Sequence, residues 1–151
     1  MAKNFETLLR LAQERGPKKI AVAVAEDKEV LTAIKIAMEK GIAEPILVGN
    51  KEKIEYIAKE VSLNLEEIDI IDEKDGTLAS MIATELVSSK KAQILMKGLI
   101  DTSIILKQVL DKNIGLSCEN VISHIAVFDV PTYHKVFIVT DAAMNKAPDL
   151  I

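Results

Sequence analysis

What most constrains the fold of this chain is a rhythm. Between Lys18 and Lys112, four short apolar runs, "KKIAVAVA", "EPILVGN", "EEIDIIDE" and "AQILMKG", alternate with four longer segments whose apolar residues recur at helical spacing. Runs of this length, rich in Val, Ile and Ala, read as strands buried on both faces. In "EDKEVLTAIKIAMEKG", Val30, Leu31, Ile34, Ala37 and Met38 share one helical face, with acids at the start and Gly41 at the end. "KEKIEYIAKEVSL", "GTLASMIATELVSSKK" and "DTSIILKQVLDK" repeat the pattern. Regular alternation of this kind predicts an α/β fold, an open, mostly parallel sheet with helices on both faces. A further helix, carrying Phe5, Leu8, Leu9 and Ala12, precedes the break at Gly16-Pro17. Near the other end, "VISHIAVFDV" and "HKVFIVTDA" are separated only by Pro131-Thr132-Tyr133, too few residues for a parallel crossover. They predict a hairpin-like strand pair.

Composition narrows the functional classes. At 151 residues and 49% hydrophobic, the chain can bury one sizeable core, and a single α/β domain over residues 1–151 is expected. Aromatic residues make up only 3%, which leaves no platform for stacking bases. A net charge of -4, with both signs interspersed, leaves no basic footprint for nucleic acid. Cys118 is the only cysteine, so the chain holds neither an internal disulfide nor a multi-cysteine zinc site. Neither a secretory apolar core nor a run of roughly 18 apolar residues is present, and a cytoplasmic location is expected. The sequence reaches "NKAPDLI" without a helix to cover the last apolar strand. It therefore reads as the N-terminal part of a longer protein.

Ligands of open α/β sheets bind beyond the carboxyl ends of the strands, which here carry Glu26-Asp27, Gly49-Asn50, Asp72, Lys97-Gly98 and Thr140-Asp141. The first turn, "AVAVAEDKEV", has no glycine, and no GxxxxGK[ST] occurs, so dinucleotide and nucleoside triphosphate readings lose their support. "ILMKGLIDTS" is different. Gly98 permits a sharp turn or a close approach, and Asp101, Thr102 and Ser103 open a helix. Backbone N–H groups there, two hydroxyls, and Lys97 or Lys107 nearby would make an anion site. The other reading, that Asp101 or Thr102 caps the helix and Lys97 is a solvated charge, stays open. Asp141, in "FIVTDAAMN", could accept hydrogen bonds from a substrate, bind a metal or cap a turn, and Asn145 follows it. Glu26 and Asp27 read as helix-start charges, while His124, His134 and Cys118 read as structural. Two histidines alone make a poor metal site.

Taken together, "AEDKEVLTAI", "GIAEPILVGN", "MKGLIDTSIILKQVL", "SHIAVFDVPTYHKVFIVTDAAMN" and "APDL" resemble the phosphate acetyl/butyryl transferase family, the phosphate butyryltransferase branch most closely. The resemblance implies a fold similar to isocitrate and isopropylmalate dehydrogenases, with a second domain across a cleft. It also implies exchange of coenzyme A and phosphate on a short acyl group, acyl-CoA and phosphate giving acyl phosphate and CoA. Coenzyme A would be a co-substrate, with no metal or redox cofactor. By resemblance the phosphate site carries over to Gly98, Thr102 and Ser103, with Lys97 beside them and Asp141 and Asn145 shaping the cleft floor. Lys107 stands where many relatives have arginine, keeping the charge without the planar grip. The catalytic aspartate, serine and arginine of the family would lie in a C-terminal region without counterpart here, so the chain alone is expected to be inactive. Alternatives are a phosphate acetyltransferase and a non-catalytic ligand-binding domain of the same fold. A metal-dependent decarboxylating dehydrogenase is disfavoured, because Arg10 and Arg15 are the only arginines. Self-association is expected from the apolar "VISHIAVF" ribbon.

Overall fold

The computed structural model describes residues 4–116 and 122–141. The chain forms two compact units, Gly16–Ser117 and a second made of Met1–Arg15 with Cys118–Ile151.

In the larger unit the elements run β1 (Lys18–Ala23), α1 (Lys28–Glu39), β2 (Ala43–Gly49), α2 (Lys51–Glu60), β3 (Asp69–Asp72), α3 (Gly76–Ser88), β4 (Ile94–Lys97) and α4 (Thr102–Val109). All four strands are parallel, in the order β3-β2-β1-β4. The predicted alternation is therefore present; β1, β3 and β4 lie within their apolar runs, and β2 starts one residue before its run, at Ala43. Asp27, Asn50 and Asp75 cap α1, α2 and α3 by accepting N–H bonds from Val30, Lys53 and Leu78. Each cap satisfies a donor that the first helical turn would otherwise leave free.

Strand periodicity sorts the core into two layers. Val22 and its register partner Leu47 face α1 and α2, where Leu31, Ile34, Ile54 and Ala58 close one layer. Ala21, Ala23 and Val48 face the other way, against Ala79 and Ala83 of α3 and Ile105 of α4. The second layer is built from small residues. With alanine on both sides, α3 lies close over β1, and its buried Ser80 and Thr84 are satisfied within the helix by the carbonyls of Gly76 and Ser80 at 2.8 Å each. Helices thus cover both faces, as the α/β reading requires.

In the smaller unit a helix, α0 (Phe5–Glu14), is capped by Asn4, whose side chain accepts from Thr7 N–H. Strands β5 (Ile125–Phe128) and β6 (Phe137–Thr140) pair antiparallel, with Phe128 opposite Phe137. The predicted hairpin is present, but its connection is longer than Pro131-Thr132-Tyr133 and runs over residues 129–136. Pro131 has no N–H to offer a ladder, and Tyr133 N–H bonds to the Val130 carbonyl as a turn instead. Phe128 stacks on Phe137 at 5.4 Å, and Tyr133 meets the Phe137 ring edge-on at 5.6 Å, the cross-strand aromatic pairing that stabilises such ribbons.

The close contact between α3 and β1 generates a prediction. Ala79→Leu forces extra carbons into a position with no accessible surface, and overpacking of this kind costs about 1–3 kcal/mol. Urea unfolding should show a lower midpoint with an unchanged slope; an unchanged midpoint would mean that α3 has room to move off the sheet.

Candidate functional site

Chain order and sheet order part company at β1. From β1 the chain steps to β2 and β3 on one side, and β4 then returns to pair on the other side of β1. Such a reversal leaves a crevice beyond the carboxyl ends of the two strands flanking it, here β1 and β4. The lining is set by how those ends continue. Pairing extends past both strands, since Gly98 N–H donates to the Ala23 carbonyl at 2.8 Å and Leu99 N–H to the Val24 carbonyl at 3.0 Å. Val24, a β-branched residue, takes a left-handed φ of 55°, a conformation that costs of order 1–3 kcal/mol and persists only where its surroundings enforce it.

Gly98 is needed here for proximity. A Cβ on it would collide with the carbonyls of Ala23 and Val24, so glycine at this position serves the meeting of two backbones. Lys97 is also committed locally. Its ammonium donates to the Ile100 carbonyl at 2.7 Å and the Gly98 carbonyl at 3.2 Å, pinning the loop between β4 and α4. The sequence offered Lys97 as a free cation, whereas the structure gives it an internal role as well.

A cavity of about 530 Å³ opens at this crevice, lined by Gly76 and Thr77 at the start of α3 and by Lys97, Ile100, Asp101 and Ile104 around the start of α4, among others. Two helix N-termini thus face one space. Asp101 occupies the N-cap position of α4 but makes no side-chain cap bond, unlike Asp27, Asn50 and Asp75. The capping alternative left open by the sequence is therefore not realised by Asp101. Thr102 and Ser103 sit exposed on the first turn of α4 and are not among the residues lining this cavity. Lys107 is exposed in the last turn of the same helix, four residues beyond Ser103 and on the same face. Side-chain charge at the cavity nearly cancels, with Lys97 against Asp101. Attraction for an anion must then come from the backbone at the helix starts and from the hydroxyls beside them.

The remaining candidates lie elsewhere. Asp141 belongs to the smaller unit, where its carboxylate accepts from the His124 N–H at 3.3 Å and its own N–H donates to the His124 carbonyl at 2.8 Å. It closes the open end of the β5–β6 ribbon and takes a left-handed φ of 54°. Asn145 lies outside the described residues, as does Cys118. His134 packs on Tyr133 at 4.7 Å, and half-buried His124 keeps a buried Nδ1 without a partner.

Glu26 departs from its expected role. Asp27 is the helix-start acid that caps α1, whereas Glu26 tucks Oε2 against Gly49, where it is buried without a hydrogen bond. Sequence reasoning also missed Gly76 and Thr77, which reach the crevice only because the crossover through α3 carries the chain back over the sheet. Asp111, after α4, has its carboxyl held below the ordinary range by the Asn113 and Ile114 backbone N–H groups, and it closes a turn away from the cavity. Among the described residues no group of three or more His, Cys, Asp or Glu could hold a metal ion, and no helix is long and apolar enough to cross a membrane.

Comparison with known proteins returns a family model described as "Phosphate acetyl/butaryl transferase", matched over residues 4–79 and 76–151. A phosphate butyryltransferase of Clostridium beijerinckii is 48% identical over 149 residues, covering 99% of this chain and 49% of that protein. A phosphate acetyltransferase of Rickettsia felis is 36% identical over 149 residues, covering 99% of this chain and 43% of that protein. The chain spans about half the length of the curated relatives it matches. Among solved structures, a branched-chain phosphotransacylase from Enterococcus faecalis V583 superposes with a TM-score of 0.67 at 26% identity, covering 87% of this chain and 45% of that one.

The backbone contact at the crevice is open to direct test. Gly98→Ala places a methyl group against two carbonyls that cannot move without breaking the β1–β4 pairing. It should destabilise the protein by at least about 2 kcal/mol, measured by denaturant unfolding; a cost below about 0.5 kcal/mol would show that the loop relaxes freely.

Proposed function

The chain belongs to the phosphate acetyl/butaryl transferase family, and from that membership we propose that its larger unit supplies the phosphate-holding part of a phosphate acyltransferase. The reaction is acyl-CoA and phosphate exchanging to acyl phosphate and CoA, with a butyryl-sized acyl group. The observation that carries the reading is the start of α4: an N-cap acid that makes no cap bond, two hydroxyls on the first turn, and the Lys97-pinned loop, all beside the crevice at the sheet's reversal.

Chemically, either phosphate attacks the thioester carbonyl or the CoA thiolate attacks the acyl phosphate, and no covalent enzyme intermediate is required. Rate then depends on alignment of the two reactants and on stabilising the tetrahedral oxyanion. Within this chain, the Thr102 and Ser103 backbone N–H groups and hydroxyls hold phosphate oxygens, and Lys107 adds charge from the same helical face. Lys97 holds the loop from which that helix starts. Coenzyme A enters as co-substrate, and neither metal nor redox cofactor takes part in this scheme. By family resemblance alone, Asp141 and Asn145 shape the floor of the substrate cleft. A cytoplasmic setting and self-association through the smaller unit's apolar ribbon complete the proposal; Ile125 and Ile138, each 63% exposed there, support the second.

The test separates binding from folding. Thr102→Ala combined with Ser103→Ala should weaken inorganic phosphate binding at least about tenfold, since each lost hydrogen bond to a charged group is worth about 1.5–3 kcal/mol. Thermal stability should hardly change. Lys107→Ala should weaken binding in a salt-dependent way, and Lys107→Arg should retain it. Calorimetric titration with phosphate at two ionic strengths decides, and unchanged affinity in all these variants would remove α4 from the site.

A further inference from the structure

The loop between β4 and α4 has a second cavity on its other side. It measures about 370 Å³ and is lined by Val30 and Ala33 of α1, Met96 of β4, and Gly98 and Leu99 of the loop, together with Asp27 and Glu29. We infer that this cavity receives the hydrocarbon tail of the acyl group, and that Val30, Ala33 and Met96 set the preferred chain length. The inference rests on the phosphate reading above.

Three observations carry it. The first is continuity. Leu99 lines both cavities, so they adjoin at that residue, and a ligand whose anionic end lies at the α4 start would carry its tail over Leu99 to lie between α1 and β4.

The second is charge. Among the described residues lining this cavity, Asp27 and Glu29 are the only ionisable ones, and the Asp27 carboxylate is already bonded to the Val30 N–H at 2.9 Å. Two acids and no cation repel phosphate, so the cavity is not a second anion site. Its occupant is an uncharged, apolar group.

The third is the character of the walls. Val30 and Met96 are half-buried apolar side chains packed against the core layer of α1 and α2, and methionine adapts its shape to what it contacts. Ala33 lies on the exposed side of α1, where its small size leaves the cavity open. On this reading a two-carbon acyl group leaves these walls unused, whereas two further methylenes would be buried against them. At the usual gain for burying a methylene, the longer chain binds roughly tenfold tighter.

The experiment uses the 151-residue chain with labelled amides and labelled Met, Val and Leu methyl groups, titrated separately with inorganic phosphate, acetyl phosphate and butyryl phosphate. All three should shift the Thr102 and Ser103 amide signals. Butyryl phosphate alone should also shift the Met96 and Val30 methyl signals, and it should bind roughly tenfold more tightly than acetyl phosphate. Ala33→Phe fills the cavity from an exposed helix position; it should abolish that preference and leave inorganic phosphate binding unchanged. Shifts at Thr102 and Ser103 without any at Met96 and Val30 would overturn the acyl pocket while leaving the phosphate reading intact. So would equal affinity for the two acyl phosphates, or a preference that survives Ala33→Phe. If none of the three ligands moved Thr102 or Ser103, both readings would fall together.

Discussion

The candidate site depends on one contact between main chains: Gly98 against the carbonyls that end β1. It exists because β4 returns across the sheet to pair with β1. The two N–H bonds that extend this pairing hold Val24 in a left-handed conformation and fix where the following loop leaves the sheet. From there the start of α4, the position of Lys97 and the two cavities follow. A looser junction would leave the same residues present but unaligned.

Charge at the crevice is used sparingly. The lysine nearest the site spends its ammonium on two carbonyls of its own loop, and an aspartate offsets it at the cavity wall. On the proposed phosphate reading, fixed backbone dipoles at the helix starts would then supply most of the pull on an anion. Such dipoles do not titrate, so the pull persists across a range of pH, and they cost no reorganisation when a substrate arrives. On the opposite side of the loop, the acids at the start of α1 make the second cavity hostile to the same anion. One short loop therefore separates two cavities of different electrostatic character.

Much of this was legible in the sequence. The alternation of apolar runs and helical segments marked the parallel sheet, because strands buried on both faces cannot tolerate polar residues in their middle. "MKGLIDTS" marked the crevice, since glycine followed by cap-forming residues at a strand end is a local signal. Strand order was not legible, and with it went Gly76 and Thr77, whose place at the crevice comes from a crossover rather than from any motif. Glu26 was misread because its neighbour Asp27 carries the same charge and only one of the two can cap α1. The role of Gly98 was ambiguous for a similar reason: sequence shows that a side chain is absent, not whether a ligand or another strand occupies the space. The hairpin was visible as two apolar runs, but its longer connection was hidden because Val130 and Val136 are as apolar as the strands they adjoin.

The return of β4 also bears on how the chain reaches this state. Register partners within β1, β2 and β3 lie one βα unit apart, whereas Ile20 pairs with Ile94 across three such units. Closing the longer loop costs roughly 1 kcal/mol more in chain entropy, and nothing compensates for it until β4 is in place. Pairings of high contact order form slowly. The crevice, which exists only between β1 and β4, is accordingly the part of the sheet with the greatest entropic obstacle to assembly, and a nascent chain must finish α3 before it can begin to build it.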